Sequence, residues 1–470
     1  MRPKWRNLMY NKNTHFHFMG IGGIGMSGIA KILIHKGYTV SGCDKNQDQK
    51  SIHDLKKLDC PISNEHNSEL CKQNSINVLV YSTDISPENP EFIHAQKAGI
   101  SIIHRSIVLA ELMRTSYGIG VAGSHGKTTT TSLLAHIFME AHQDPTVIVG
   151  GHLQSIQSNA HAGTGKFLIA ETDESDRSLL NLRPTFAVLT TIDFEHVNVF
   201  KNLHDVTTTF GTFLNNLPFY GHAFVCIDDT QIKSLLPLTH ADYSTYGLSN
   251  EADWQLTELQ LNKDHSTYTL FIKKTGQKHS VTLALPGEHN SLNSVAALAV
   301  AEKAGIPLEI AIQTLTTFAG VDRRFTYRGT YKNIEIFDDY GHHPTEISCT
   351  LKNALRRADG KPVTVIFQPH RYSRTQGLWN DFIKVFIGTG IHHLIITDLY
   401  CASEKPLEGI SSSKLVEEIR KLNPTFTVDY VPYEEDQHSL LNHLKNNLKD
   451  DGLLLLQGAG SVTKISQSLL

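Results

Sequence analysis

Residues 117–130 read YGIGVAGSHGKTTT. A short apolar run leads into a glycine turn, and the turn ends in Gly126-Lys127-Thr128. The run Tyr117–Ala122 predicts a buried strand. Beyond the turn, Leu133, Leu134, Ile137, Phe138 and Ala141 recur at helical spacing. A glycine turn between a strand and a helix presents backbone N–H groups to an anion, and the helix dipole adds to the attraction. Gly123, Ser124, His125 and Gly126 form the turn. Lys127 is placed to neutralise β- and γ-phosphate charge, Thr128 to reach Mg²⁺, and Thr129 follows in the first helical turn. The stretch departs from GxxxxGK[ST], because Val121 stands five residues before Gly126. A bare GKT arises often by chance; one that opens a helix after an apolar strand points to a nucleoside triphosphate. For His125 the plainer role is local packing or a local hydrogen bond.

The same alternation extends on both sides. Upstream, His15–Met19 predicts a strand, Gly20, Gly22, Gly23 and Gly25 give GxGxxG, a helix follows to Gly37, and Tyr38–Cys43 predicts the next strand, with Asp44 at its carboxyl end. This pattern suits a nucleotide diphosphate on the turn and a ribose hydroxyl on Asp44, with NAD as the default ligand. The plainer reading is a tight strand–helix turn. Downstream, Phe167–Ala170 predicts a strand that ends in Glu171 and further acids to Asp176. Glu171 is suited to Mg²⁺ bridging ATP phosphates, although acids also favour a helix N-terminus. The strand at 187–192 runs on to Glu195 and His196, a histidine that is either structural or a metal ligand. A third series holds DDYGHHP at 338–344 and QPHRYSR at 368–374. Arg371 and Arg374 there suit a carboxylate or phosphate, or simple surface ion pairs. Two separate phosphate loops disfavour a dehydrogenase, which needs one dinucleotide and no GKT.

Length and charge agree with an enzyme of several domains. The chain has 470 residues, 40% hydrophobic and 19% charged, with a net charge of −4. That excludes wholesale disorder and gives no broad electrostatic case for nucleic acid. The six cysteines, at 43, 60, 71, 226, 349 and 401, show no CxxC pair and no neighbouring histidine cluster. They read as reduced thiols of a cytoplasmic protein, neither a disulfide framework nor a zinc site. The opening MRPKWRNLMYNKNTHFHFMG lacks an apolar signal core, and no apolar run is long enough for a membrane helix. The expected fold class is α/β with three domains: a Rossmann-like unit over 1–115, a central P-loop-type ATPase unit over 116–325 and a Rossmann-like unit over 326–470.

Taken in order, GIGGIGMSG, HRSIVLAELM, AGSHGKTTT, VGGHL, AETDESDRSLL, LPFYG, PGEHNSLNSVAA, GVDRRF, DDYGHHPTEI, FQPHRYSRT and GAGS resemble the Mur ligases of bacterial peptidoglycan synthesis along nearly the whole chain. The pattern is nearest to the member that joins L-alanine to the lactyl carboxylate of UDP-N-acetylmuramate through an acyl phosphate. The resemblance implies ATP and Mg²⁺ as cofactors, UDP-N-acetylmuramate and L-alanine as partners, and a monomer or dimer. It implies that the first domain holds the UDP moiety rather than NAD. It assigns Lys127 to ATP phosphates, Thr128 and Glu171 to magnesium, and His196 to a second magnesium. Asn290 and Asn293 would contact adenine, Arg324 the ATP phosphates, and Asp339 the ribose. His125, Arg371 and Arg374 would lie near the sugar-lactyl carboxylate or the amino acid, with His125 or His342 as candidate base for the alanine amine. The chain departs from the family at Ser124, where Thr is usual, around His196, and at Tyr81–Ile85. The peptide-recycling ligases are the nearest alternative; a folylpolyglutamate-synthetase-like ligase and a non-catalytic NTP-binding protein are more distant ones.

Overall fold

The computed structural model describes residues 12–66, 69–73, 75–154, 156, 158–402 and 404–470. The polar stretch at the start of the sequence lies outside the described residues up to position 11. Three sheets follow one another along the chain.

The first contains β1 (His15–Met19), β2 (Thr39–Cys43), β3 (Ile62–Ser63), β4 (Val78–Tyr81) and β5 (Ser101–His104) in the order β3-β2-β1-β4-β5. All its neighbours are parallel. The chain reverses direction across the sheet at β1, so the turn after β1 sits at a switch point, where open α/β sheets bind ligands. The helix Ile24–His35 leaves that turn. It is buried on most sides because it also packs on the second sheet, where Lys31 Nζ reaches Asn159 Oδ1 at 3.0 Å.

The second sheet has ten strands: β6 (Tyr117–Ala122), β7 (Thr146–Leu153), β8 (Ser158–His161), β9 (Phe167–Glu171), β10 (Phe186–Leu189), β11 (His222–Cys226), β12 (Asp242–Gly247), β13 (Trp254–Leu261), β14 (Ser266–Ile272) and β15 (Gln277–Leu283). Their order is β15-β14-β13-β12-β11-β10-β6-β9-β7-β8. The middle is parallel, and antiparallel pairs finish both edges. Strand β6 lies between β9 and β10, so residues 123–126 emerge at the second switch point, followed by the helix Lys127–Glu140. That helix is buried from Thr128 to Phe138 and packs on the helix Glu288–Lys303. Sequence periodicity found many of the apolar parallel strands but not β7, β12 or the later strand Thr427–Tyr430. It missed β13, which alternates buried and exposed residues at the sheet margin, because its exposed face is as polar as a loop.

The third sheet contains β16 (Thr326–Tyr331), β17 (Asn333–Asp339), β18 (Val363–Phe367), β19 (His393–Ile396), β20 (Thr427–Tyr430) and β21 (Asp451–Gln457), in the order β16-β17-β21-β18-β19-β20. Only β16 runs antiparallel to its neighbour. The carboxyl ends of β17 and β18 point their loops at the glycine turn after β6. The helix Pro344–Ala358 starts there with Pro344 in its first turn and a capping box between His343 and Glu346.

Candidate active site

Gly126 has φ +82°, a left-handed conformation that favours glycine, and an added Cβ would meet Asn293 Oδ1 at 2.8 Å. Gly123, at φ +130°, is tighter still, since an added Cβ there would overlap Thr190 Oγ1. The turn is thus packed between β10 and the start of the helix Glu288–Lys303. Ser124 Oγ donates to Asp193 O and accepts from Asp193 N at 2.8 Å, so the serine in this position keeps a working hydroxyl. Lys127 Nζ donates to Gly123 O, to Ser124 O at 3.1 Å and to Glu174 Oε1 at 2.7 Å. Glu174, Glu171 and Glu195 together hold this ammonium well above the ordinary lysine range despite its burial. Thr128 Oγ1 lies 3.1 and 3.0 Å from the two Glu171 oxygens, and Gly150 N–H donates to Glu171 Oε2 at 2.8 Å. Burial raises the Glu171 carboxyl against the pull of Lys127. A hydroxyl and a carboxylate held together beside a phosphate turn form an oxygen donor set suited to Mg²⁺. The His196 ring, on a residue with φ +52°, lies 3.6 Å from Glu174 and 3.5 Å from Glu195.

His125 is surrounded by acids. Its Nε2 is 3.1 Å from Asp193 Oδ2, and its Nδ1 is 3.2 Å from Glu195 Oε1 and 3.6 Å from Glu346 Oε1. These charges outweigh burial and push the imidazole up to about 10. The surrounding acids favour the protonated ring, which supports a charged His125 over a proton acceptor. His342 is shifted the other way. Burial and the nearby Arg374 push it down to about 3, so it stays neutral but is a poor acceptor. Thr345 Oγ1 donates to Asp193 Oδ2 at 2.8 Å, and the His343 ring lies against that of His125 with centroids 4.8 Å apart. The third sheet's loops are thereby docked on the glycine turn.

Sequence reasoning passed over Glu174, Asp193, Glu195 and Glu346 as site residues. Asp193 and Glu195 follow a parallel strand, the rule that identified Glu171, and could have been found. Glu346 caps its helix and accepts from His342 N at 3.0 Å. Only the packing shows that its other oxygen is 3.6 Å from Arg324.

Between the second and third sheets lies a cavity of about 220 Å³. Tyr246, Leu285 and Phe325 give it apolar walls, while Asn290, Asn293 and Asp339 supply polar edges. Gly126, Thr129 and Arg324 also border it, so the cavity opens on the phosphate turn. An apolar slot with a few convergent polar groups suits a nucleobase. Asp339 is buried; its Oδ1 accepts from Gly341 N, Gln457 Nε2 and Thr350 Oγ1, and its Oδ2 from Phe325 N at 2.8 Å. Those bonds fix the carboxylate at the cavity edge. Arg371 and Arg374 differ from the other cations. Among the described residues no carboxylate oxygen lies within 4 Å of either guanidinium; Arg374 contacts only His370, at 3.3 and 3.4 Å. Surface ion pairs, the plainer expectation for both arginines, are thus absent among these residues. Two part-buried arginines without an acid leave room for a bound anion.

At the first glycine turn, Gly22 N–H donates to Asp44 Oδ2 at 2.8 Å, and Gly20 and Ile21 N–H groups bond to Cys43 O. Gly23 N–H bonds back to Gly20 O. Asp44 thus braces the turn in this structure, and Gly25 is flanked by Arg105, 3.5 Å from where a Cβ would stand. Arg105 also bridges to the second sheet through Asp173 at 2.6 Å.

Comparison with known proteins was decisive for the family. Residues 15–117 match the Mur ligase family, catalytic domain; residues 121–301 match the Mur ligase middle domain; residues 323–460 match the Mur ligase, glutamate ligase domain. The chain belongs to the Mur ligase family. A curated UDP-N-acetylmuramate–L-alanine ligase of Geotalea uraniireducens is 41% identical over 462 residues, covering 98% of both chains. One from Geobacter sp. strain M21 is likewise 41% identical with the same coverage. Among solved structures, UDP-N-acetylmuramate-alanine ligase from Thermotoga maritima superposes with a TM-score of 0.79 at 24% identity, covering 97% of this chain and 98% of that one. A murein peptide ligase from Psychrobacter arcticus gives 0.72 at 21% identity over 97% and 98%. These structures share the fold. In Mur ligase terms, the site joins the end of one α/β unit to the loops of the next, and no helix among the described residues is long and apolar enough to cross a membrane.

Proposed function

We infer that this Mur ligase joins L-alanine to the lactyl carboxylate of UDP-N-acetylmuramate at the expense of ATP, in peptidoglycan precursor synthesis in the cytoplasm. The observation that carries this reading is 41% identity along 98% of the chain to curated ligases of that name. The geometry supports a division of labour. The UDP moiety would occupy the first glycine turn (Gly20, Gly22, Gly23, Gly25) beside Asp44. Adenine would enter the cavity between Asn290 and Asn293, with its ribose at Asp339. The ATP phosphates would then lie on residues 123–129, facing Lys127 and Arg324.

The lactyl carboxylate is a poor electrophile, since hydroxide is a poor leaving group. Attack of its oxygen on the γ-phosphorus forms an acyl phosphate and releases ADP. The alanine nitrogen then attacks the acyl carbon, the C–O bond to phosphate breaks, and the amide and inorganic phosphate leave. Lys127 and Arg324 offset charge on the transferring phosphoryl group. His125, held as a cation by Asp193 and Glu195, is placed to stabilise an oxyanion rather than to accept a proton. Arg371 and Arg374, which have no carboxylate oxygen within 4 Å among the described residues, would hold a substrate carboxylate. Thr128 and Glu171 would hold Mg²⁺, and His196 with Glu174 would flank a second ion; such an ion neutralises phosphate charge when bound. Phosphate release with UDP-N-acetylmuramate, ATP and each of the twenty amino acids tests the reading. Release should be greatest with L-alanine; release only with a tripeptide would assign the chain to the recycling ligases.

A further inference from the structure

Beneath the first glycine turn, five side chains that are far apart in the sequence come together. His17 on β1, Cys43 at the end of β2, Cys71 in the segment Glu69–Lys72 and Glu91 in the helix Pro90–Lys97 are all buried; His66 covers them from the solvent side. The Cys43 Sγ is 3.2 Å from Glu91 Oε2 and 3.1 Å from His66 Nδ1. The Cys71 Sγ is 2.6 Å from Glu91 Oε1. His17 Nε2 is 3.5 Å from Glu91 Oε2, and His66 Nδ1 is 3.5 Å from Glu91 Oε1.

Two features set this group apart from a buried polar network. First, His17 is fully buried, yet its Nε2 makes no hydrogen bond of acceptable geometry. Its Nδ1 is bonded to Ser41 Oγ at 2.8 Å, which fixes the ring and aims Nε2 into the group. A ligating histidine is held in this way by a bond from its other nitrogen. Second, His17, Cys43 and Glu91 each offer a donor atom within 4.8 Å of the others, and Cys71 reaches the second Glu91 oxygen. Zinc–sulfur bonds of about 2.3 Å and zinc–nitrogen bonds of about 2.0 Å place tetrahedral donors roughly 3.3–3.8 Å apart. The separations between donor atoms above run from 2.6 to 3.5 Å, close enough for a small outward movement to admit an ion. Thiolate and imidazole donors select soft or borderline cations over Mg²⁺.

We propose that His17, Cys43, Cys71 and Glu91 form a binding site for a divalent cation of the zinc class, with His66 as its solvent-side cover. Binding displaces the protons of the ligating thiols and of the imidazole and is therefore favoured as pH rises. The ion ties β1 and β2 to the segments at 69–72 and 90–97. Cys43 is also the residue whose carbonyl accepts from Gly20 and Ile21, so the site lies one residue below the substrate's glycine turn. The site is separate from the phosphate turn at 123–128. Neither the cysteine spacing nor the scatter of the histidines points to this group, and the proposal departs from the sequence-based expectation that these cysteines form no zinc site.

The test uses the full chain, stripped with chelator under reducing conditions and titrated with Co²⁺. The expected result is one thiolate-to-cobalt charge-transfer band saturating at one ion per chain, displaced by Zn²⁺ and unaffected by Mg²⁺. Cys43→Ser and Cys71→Ser should each abolish the band, whereas Cys401→Ser, an exposed thiol elsewhere, should keep it. Should the serine variants fail to fold, wild-type melting decides alone: Zn²⁺ at 100 times its dissociation constant should raise stability about 100-fold in the folding equilibrium. No band in the wild type, a band that survives Cys43→Ser, or a Cys43–Cys71 disulfide in the protein purified without reductant would overturn the proposal.

Discussion

Gly150 offers a way to move the Glu171 carboxylate without touching it. Gly150 lies in β7 with no left-handed φ, so alanine is tolerated by the backbone. Its Cβ would stand 2.6 Å from Glu171 Oε2 and 2.9 Å from Oε1, whereas ordinary contact starts at 3.4 Å. The carboxylate must therefore retreat by roughly 0.8 Å, since the β-strand on which the new methyl sits is held by its sheet neighbours. That movement breaks the bond from Gly150 N–H and the pair from Thr128. Hydrogen bonds to a charged group are worth about 1.5–3 kcal/mol each, part of which water restores, and displaced ligand geometry costs about 10–100-fold in metal affinity. Gly150→Ala should raise the Mg²⁺ concentration for half-maximal phosphate release by about that factor, with UDP-N-acetylmuramate affinity unchanged by calorimetry. Gly388→Ala is the control, because a Cβ there meets nothing within 4 Å. An unchanged Mg²⁺ requirement at full turnover in Gly150→Ala would refute the placement of the metal at Glu171 and Thr128.

Three further outcomes are expected. Lys127→Ala should abolish turnover while UDP-N-acetylmuramate still binds within a few-fold of wild type; equal loss of both would contradict two separate phosphate sites. Arg374→Ala should raise the KM of one carboxylate substrate by about 10–100-fold, from about 1.5–3 kcal/mol for a charged hydrogen bond, and Arg374→Lys should recover little, as lysine lacks the planar fork; wild-type kinetics in both would remove Arg374 from the site. His222, buried on β11 and bonded to Ser244 Oγ at 2.8 Å, is pushed down to about 4 by desolvation. The unfolded chain then binds the proton first, so stability is full above about pH 6.5 and falls as pH drops towards 4, by an upper bound of about 3 kcal/mol. Urea melts of His222→Gln should lose that share of the acid slope, and an identical slope would show that His222 protonates without cost.

Much of the site was legible because its chemistry is local. A phosphate turn needs glycine, lysine and threonine in consecutive positions between a strand and a helix, so residues 123–128 announce themselves. Glu171 and Asp339 follow the same logic, each at the carboxyl end of a parallel strand. Charge state was not legible. Whether His125 accepts a proton depends on Asp193, Glu195 and Glu346, and one of these comes from a helix more than two hundred residues away. The bond from Gly22 N–H to Asp44 was not legible either, because it depends on how the turn after β1 meets the end of β2.

The order of apolar runs, glycines and strand-end acids was enough by itself to determine three successive α/β units and the two strand–helix glycine turns, because periodicity and backbone freedom act over a few neighbouring residues. Only the tertiary structure decided which groups share a field. Among the described residues it formed no ion pair at Arg374, surrounded His125 with acids and drew His17, Cys43, Cys71 and Glu91 into one buried group. Electrostatics and coordination act through space at a few ångströms, and separation along the chain carries no information about that distance.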